Sequence, residues 1–416
     1  MEEKTKEIHR TTTQSLSTSF HGDNKCDDDD EVFSDHEYIP VDLTREILMR
    51  LPAKSILRFR CVSKLWWSIT TQQDFINSFA VRQSSVPRQR LLLTFNQDDT
   101  TQIFCSLPFD EKSITTYSDV KSFRFTPPIK GRYEYYRNSV HGLISFQNET
   151  EVIIWNPTMK EHVTLSKPIE LMSKYVISFL GYDPTENTYK LLSLAEGLAF
   201  RDTFQKPRIL TLGSQEAWRV TENSPLHFSK GFGYSINGVV YYKANISRKS
   251  IEIVIMSFDV RSEQFKSLQI PGDVVGSTLD NLIHESIMSY QGKLAWVCNN
   301  FDFIKIWVLQ DADKQEWSYK DNIIPLPQRD LLRSATLKVA TDTGEFIYLR
   351  MKLRFKDISA FYYDPVRKSV RSVKALEYDT FRRFYGSCNE PMYCLEPIPD
   401  HIESLMSLKD ICSPFV

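Results

Sequence analysis

The chain is 416 residues long, with 51 basic and 53 acidic side chains and seven cysteines. That length suggests two or three domains, and the near-balanced charge offers no electrostatic case for nucleic acid or a membrane surface. The first ten residues are polar and charged with no apolar signal core, and no apolar run approaches the roughly 20 residues a membrane helix needs. An odd cysteine count without paired spacing reads as reduced thiols, so the expected compartment is cytoplasmic, nuclear or both. Two glycosylation sequons, at Asn148 and Asn245, are expected to stay bare without secretion. Residues 1–37 are rich in Thr, Ser and charge, with aspartates at 27–30 followed by Glu31. They are expected to form a disordered acidic tail, because too little apolar surface is available to order them.

Residues 38–83 are expected to form a small helical domain. Pro40 suits a first helical turn, where a missing N–H has no intrahelical partner. Leu43, Ile47, Leu48 and Leu51 then recur at helical spacing on one face, with Asp42, Arg45, Glu46 and Arg50 opposite. Pro52 stops that helix. A second helix carries Ile56, Leu57 and Cys61, and Ser63 is placed to cap a third that holds Leu65, Trp66 and Ile69. A fourth groups Phe75, Ile76 and Phe79. Helices this short are marginal alone, and the stretch carries more large apolar groups than its own core can hide. It reads either as a half-interface completed by another protein's helices or as an ordinary helical cap on the rest of the chain.

The residues IPVDLTREILMRLPAKSILRFRCVSKLWWSI resemble an F-box, the motif that docks onto the Skp-type adaptor of a cullin ubiquitin ligase. Departures are mild: Ile39 stands for the motif's first leucine, Ser63 for a cysteine, and Trp67 fills a variable site. The resemblance implies adaptor contacts from Pro40, Leu43, Ile47, Leu48, Leu51, Pro52, Leu57, Val62 and Trp66.

From Arg90 onward, short β-branched and aromatic runs alternate with turn signals, and one unit recurs: an apolar run, an Asn or Asp, a tight turn, another strand. One fixed position in each copy gives Phe104, Trp155, Thr211, Phe258, Trp307 and Tyr363, at intervals of 51, 56, 47, 49 and 56 residues. A period near 50 is the size of a four-stranded propeller blade. Upstream of the repeat lie glycine-turn hairpins, among them Asn237-Gly238, Gln291-Gly292 and Thr343-Gly344, and in one blade Asp183-Pro184 opens the turn instead. Five blades fit between Arg132 and Leu376. A sixth starts at Arg90 without an inner strand, which the C-terminal MYCLEPI is expected to supply, closing the ring. The fold class is therefore α+β multidomain: an N-terminal helical domain, then an all-β, kelch-like propeller of about six blades over residues 90–410.

The runs WNPTMKEHVTLSKP, FLGYDPTENTYKLLSLA, YSINGVVYYKA, YQGKLAWV and FYYDPVRKSVRSV resemble the F-box-associated domain of plant F-box proteins, nearest its type 3. That resemblance implies a non-catalytic substrate receptor of an SCF-type ubiquitin ligase. Its partners would be the adaptor, cullin and RING subunits through it, and a target protein, with no cofactor or metal. The alternative is a propeller that binds a small molecule or glycan, with the F-box in a regulatory role.

Catalytic patterns are absent: no Gly-x-Ser-x-Gly elbow, phosphate loop or zinc helix. Gly231 and Gly233 precede a strand rather than a helix, Cys388 and Cys394 have no His pair at ligand spacing, and His141 reads as a turn residue. The kelch order puts short inner turns and Asn/Asp turns on one face. Longer irregular connections fall on the other: 197–207, 245–250, 299–302, 271–284 and 325–333. Arg201, Lys206, Arg208, Arg248 and Lys249 make two of these basic, which would suit an acidic or phosphorylated target segment. Charges that merely solvate the loops would give the same pattern.

Overall fold

The computed structural model describes residues 39–85, 90–96, 102–108, 121–125, 134–168, 176–195, 205–214, 217–246, 253–271, 284–300, 302–352, 357–377, 396–398 and 401–412. The tail 1–37, Arg201, Arg248, Lys249, Cys388 and Cys394 lie outside these residues.

Helix α1 (Val41–Met49) starts directly after Pro40, whose carbonyl accepts from the Thr44 N–H at 2.9 Å. Pro52 separates it from α2 (Ala53–Phe59). The Ser63 hydroxyl accepts from Leu65 N at 3.2 Å and caps α3 (Lys64–Thr71), and α4 (Gln73–Ser85) follows. Leu48, Ile56, Ile69, Phe75, Ile76 and Phe79 are buried together. Two arginines tie the helices: Arg45 pairs with Asp74 at 2.8 Å and lies 5.5 Å from the Phe75 ring centre. Arg60 donates to the Thr70 carbonyl at 2.7 Å and to its hydroxyl at 3.2 Å. The expected single apolar face of α1 is split in two. Thr44 and Leu48 turn into the core, while Leu43 and Ile47, one row round the helix, face outward.

Six four-stranded antiparallel sheets follow. The first contains β1 (Arg90–Asn96), β2 (Gln102–Pro108) and β3 (Lys121–Phe125). The second is β4 (Glu134–Val140), β5 (Leu143–Gln147), β6 (Glu151–Asn156) and β7 (Glu161–Ser166). The third is β8 (Val176–Asp183), β9 (Thr188–Ala195), β10 (Arg208–Thr211) and β11 (Arg219–Val220). The fourth is β12 (Phe228–Ile236), β13 (Val239–Asn245), β14 (Ile253–Asp259) and β15 (Phe265–Leu268). The fifth is β16 (His284–Tyr290), β17 (Lys293–Asn299), β18 (Phe303–Asp311) and β19 (Glu316–Ile323), and helix α5 (Leu326–Leu332) links it onward. The sixth is β20 (Thr336–Ala340), β21 (Phe346–Lys352), β22 (Asp357–Asp364) and β23 (Ser369–Glu377). Finally β24 (Glu396–Ile398) pairs antiparallel with β1, Leu93 opposite Pro397, and gives the first sheet the order β24-β1-β2-β3. The chain is a six-bladed propeller closed by its own C-terminal strand.

The six repeat positions fall on β2, β6, β10, β14, β18 and β22, the third strand of every blade. Four blades turn from third to fourth strand in the same way. The side chain of Asn156, Asp259, Asp311 or Asp364 accepts backbone N–H groups two or three residues on, and the turn ends in a left-handed residue. Those residues are Lys160, Glu263, Gln315 and Lys368, with φ between 51° and 58°. The inner hairpins at His141-Gly142, Asn237-Gly238 and Gln291-Gly292 have both central residues at positive φ, as type I′ turns require. Thr343-Gly344 differs, since only Gly344 is left-handed there and Thr341 and Glu345 close a wider loop.

These turns share one face of the disc, called the near face below; the connections between second and third strands and between blades share the far face. One expectation about the faces changes: the link at 325–333 is not irregular but forms α5. Gly231 and Gly233 lie within β12, where the register slips by a bulge, rather than before it.

The C-terminal region after the blades serves two purposes, and truncations separate them. Deleting from Pro391 onward removes β24 and opens an apolar seam, so the chain is expected to aggregate or lose its cooperative melt. Deleting only residues 401–416 keeps β24, and the propeller's β-sheet circular dichroism signal should survive.

Candidate adaptor-docking and recognition surfaces

Residues 401–412 lie across the near face as a strap, ending in helix α6 (Leu408–Cys412). Ile402, Leu405, Met406 and Leu408 are buried, and Leu405, Met406 and Leu408 join one core that contains the helical bundle and parts of blades two and three. The polar contacts fix the register. Asn156 donates its amide N–H groups to the Ser404 and Met406 carbonyls at 3.2 and 2.7 Å, while its oxygen accepts from Thr158 and Met159 N–H. Glu161 accepts from Leu408 N at 2.8 Å and from the Ser407 hydroxyl at 3.0 Å, at the start of α6. Glu403 in turn accepts from Ala53 N at 2.8 Å, and so satisfies the start of α2, where Pro52 offers no side-chain cap. At Gly142, φ is +80° and a Cβ would lie 2.6 Å from the Ile402 carbonyl oxygen. Both the left-handed turn and the strap's close approach require glycine there.

Held in this way, the bundle turns an apolar surface outward. Leu43, Ile47, Val62 and Trp67 are 54%, 51%, 67% and 56% exposed, with Ile39 and Val41 beside them in sequence also exposed. Among the residues expected to touch an adaptor, Pro40, Leu43, Ile47, Pro52 and Val62 are exposed, and Leu51, Leu57 and Trp66 are half-buried. Leu48 is 1% exposed, so it holds α1 onto the core and has no surface to offer. Trp66 packs edge-on against Phe59 at 5.2 Å, and the neighbouring Trp67 supplies the open face. Sequence periodicity could not separate Trp66 from Trp67, or Leu43 from Leu48, because it identifies a stripe and not which half of it the core takes.

The far face lies opposite the bundle. Lys206 is exposed and donates to the Glu222 carbonyl at 3.1 Å, and Arg208 is half-buried at the start of β10. On the same side, around α5, Ile323, Leu326 and Leu331 are exposed, an apolar feature that the reading of this link as loop missed. Among the described residues, no group of three or more His, Cys, Asp or Glu is placed to hold a metal ion, and no helix is long and apolar enough to cross a membrane.

Two histidines are structural. His141 sits in its turn with its ring 4.0 Å from that of Tyr182, and burial pulls its pKa down to about 4. His227 is buried: Nδ1 donates to the Pro225 carbonyl at 2.7 Å, so its neutral Nε2 accepts from the Tyr242 hydroxyl at 2.7 Å. Burial, only partly offset by the Pro225 bond, lowers its pKa as well.

A helical docking bundle strapped to a closed propeller, with one open apolar surface and one loop-bearing face, defines a binding scaffold. Comparison with known proteins agrees. The F-box domain matches residues 38–77, and the F-box associated beta propeller domain matches residues 90–402. The chain belongs to this family of F-box proteins with an associated propeller. It is 39% identical to At4g21240 of Arabidopsis thaliana, provisionally named an F-box protein, over 90% of this chain and 91% of that one. It is 34% identical to the F-box protein At5g18160 of Arabidopsis thaliana, over 97% of this chain and all of that one. Solved structures align more distantly, among them apo AztD from Citrobacter koseri at a TM-score of 0.37 and 9% identity, over 70% of this chain and 84% of that one. The F-box implies an adaptor of the Skp type as partner.

Two outcomes test the strap and the histidines. Asn156→Asp sets a carboxylate against two carbonyl oxygens where donors stood, and should cost roughly 1–3 kcal/mol in chemical denaturation. For the histidines, the unfolded chain takes protons as pH falls below about 6.5, while the native rings resist them. The histidine contribution to stability should therefore be level above pH 7 and decline from 6.5 downward. His227→Gln should flatten part of that decline in melts at pH 7 and 5; an unchanged slope would remove His227 from the account.

Proposed function

We propose that this chain is the substrate-recognition subunit of a cullin–adaptor ubiquitin ligase, and that it is not itself an enzyme. The observation that carries this reading is the outward apolar surface made by Leu43 and Ile47 of α1, Trp67 of α3 and Val62 just before α3, on a bundle that buries Leu48, Ile56, Ile69 and Phe75 in its core. Such a surface stays exposed in a monomer only at a cost, and a partner's helices would cover it. Leu43, Ile47, Val62 and Trp67 are the central anchors in this reading, with Pro40 and Pro52 shaping the turns and Leu51, Leu57 and Trp66 at the margin. Cullin and RING subunits would join through the adaptor. The far face, turned away from the bundle, would hold the target protein. Its contribution would be effective concentration: a target held near the ubiquitin carrier reacts as if intramolecular.

The test uses exposed residues, so folding is not at stake. Leu43→Ala with Ile47→Ala should weaken adaptor binding by about 2 kcal/mol or more, roughly thirtyfold, with an unchanged melt. Leu48→Ala should instead lower the melt, since a buried leucine costs roughly 2–5 kcal/mol when truncated. Undiminished co-purification of the adaptor with the double variant overturns the reading. Alanine blocks at 197–207 and 299–302 should lose ubiquitylated targets and keep the adaptor.

A further inference from the structure

Where the fourth and fifth blades meet, two lysines stand near a single carboxylate among the described residues. On the fourth blade, Lys230 of β12 stands directly opposite Lys243 of β13 in the antiparallel register. Like charges in that arrangement repel and destabilise a sheet. Both lysines are half-buried. Among the described residues no carboxylate lies within ion-pairing distance of either, and the Lys243 ammonium instead reaches the backbone carbonyl of Glu285 at 3.3 Å and stands 6.0 Å from the Trp296 ring centre. The Glu285 side chain is one charge against two, and its own pKa is raised by burial. Burial likewise lowers that of Lys243, with Glu285 opposing and Lys230 adding to the shift.

Open space lies beside this pair. The β12–β13 register passes from Lys230 opposite Lys243 to Gly233 opposite Tyr242, which leaves Gly231 and Phe232 as a bulge. Gly231 has φ +71°, and a Cβ built on it would meet nothing within 4 Å. The pair lies near the far-face end of its hairpin, since Phe228 and Asn245 close the β12–β13 pairing there.

We propose that Lys230 and Lys243 form an anion-accepting notch on the recognition face, which takes an acidic group of the target, either a carboxylate or a phosphate. This rests on the reading of the far face as the target-binding side and assigns the chemistry it reads. The notch keeps two ammonium groups together at a cost in stability, which a bound anion relieves by accepting charge-assisted hydrogen bonds from both.

The experiment uses the full chain bound to its adaptor, with inorganic phosphate and a glutamate hexapeptide as separate probes. Lys230→Gln should raise the melting temperature of the unliganded protein, because it removes a repulsion. It should also reduce calorimetric binding of the effective probe at least tenfold, while Lys230→Arg retains it. The probe that binds tells phosphate from carboxylate. The proposal is overturned if Lys230→Gln lowers the melt, if neither probe binds the native chain, or if binding survives in the Lys230→Gln, Lys243→Gln double variant. Target capture from cells keeps the two readings apart. Loss of target in the far-face alanine blocks but not in the double variant rejects the notch and leaves the face standing. Retention of target in both rejects the face itself.

Discussion

The structure depends on one short run of backbone, residues 396–412, whose parts close the ring and then latch the bundle. Its first three residues pair with β1 and leave the first blade no open inner edge. The following strap buries Leu405, Met406 and Leu408 and exchanges hydrogen bonds with a turn of blade two on one side and the start of α2 on the other. A four-helix segment of this size buries too little surface to be secure alone. Here its core runs without interruption into Val140, Leu143, Leu180 and Leu212 of the propeller. The outward apolar surface of the bundle and the far face are thereby parts of one packed body rather than beads on a linker. The proposed effective-concentration mechanism would benefit from that, since a floppy joint would spread a target over a larger volume.

Much of this was legible in the sequence because it is local. The repeat was found from an aromatic or aliphatic residue followed by Asn or Asp and a tight turn, and those positions lie on the third strand of each blade. The side-chain-to-backbone bonds that make the turn span only a few residues, so they leave a mark at each copy. The missing inner strand was equally legible, because five complete blades and a partial one leave a definite vacancy for the C-terminus to fill. The proline punctuation of the bundle and the Ser63 cap were readable for the same reason.

What was not legible is what long-range contacts decide. The strap sequence HIESLMSLKDIC has no period and no motif, and its partners Asn156, Glu161 and Ala53 are some 250 to 350 positions away. Nor could periodicity say that Leu48 faces in while Leu43 faces out, because both belong to a helical stripe and only the neighbours' bulk chooses between them. Charge counting on loops singled out Arg201, Lys206, Arg208, Arg248 and Lys249. It passed over Lys230 and Lys243, which sit on strands and meet only when the hairpin pairs.

One local choice does carry a trace of the long-range arrangement. Asp259, Asp311 and Asp364 begin turns whose demand is for acceptors alone, and the backbone N–H groups they receive hold the Asp311 and Asp364 carboxyls below their usual range. The same turn in blade two begins with Asn156, which is fully buried. An aspartate would serve the turn equally well, but it would face the Ser404 and Met406 carbonyls with no proton to give. The amide satisfies both sides at once. The substitution of Asn for Asp thus marks the blade that carries the strap, and with it the side of the ring on which the bundle stands. Lys230 and Lys243 face the seam between blades four and five, further round the ring, and on the opposite face. A target gripped there would project away from the bundle, clear of whatever covers Leu43 and Ile47, so both surfaces can be occupied together.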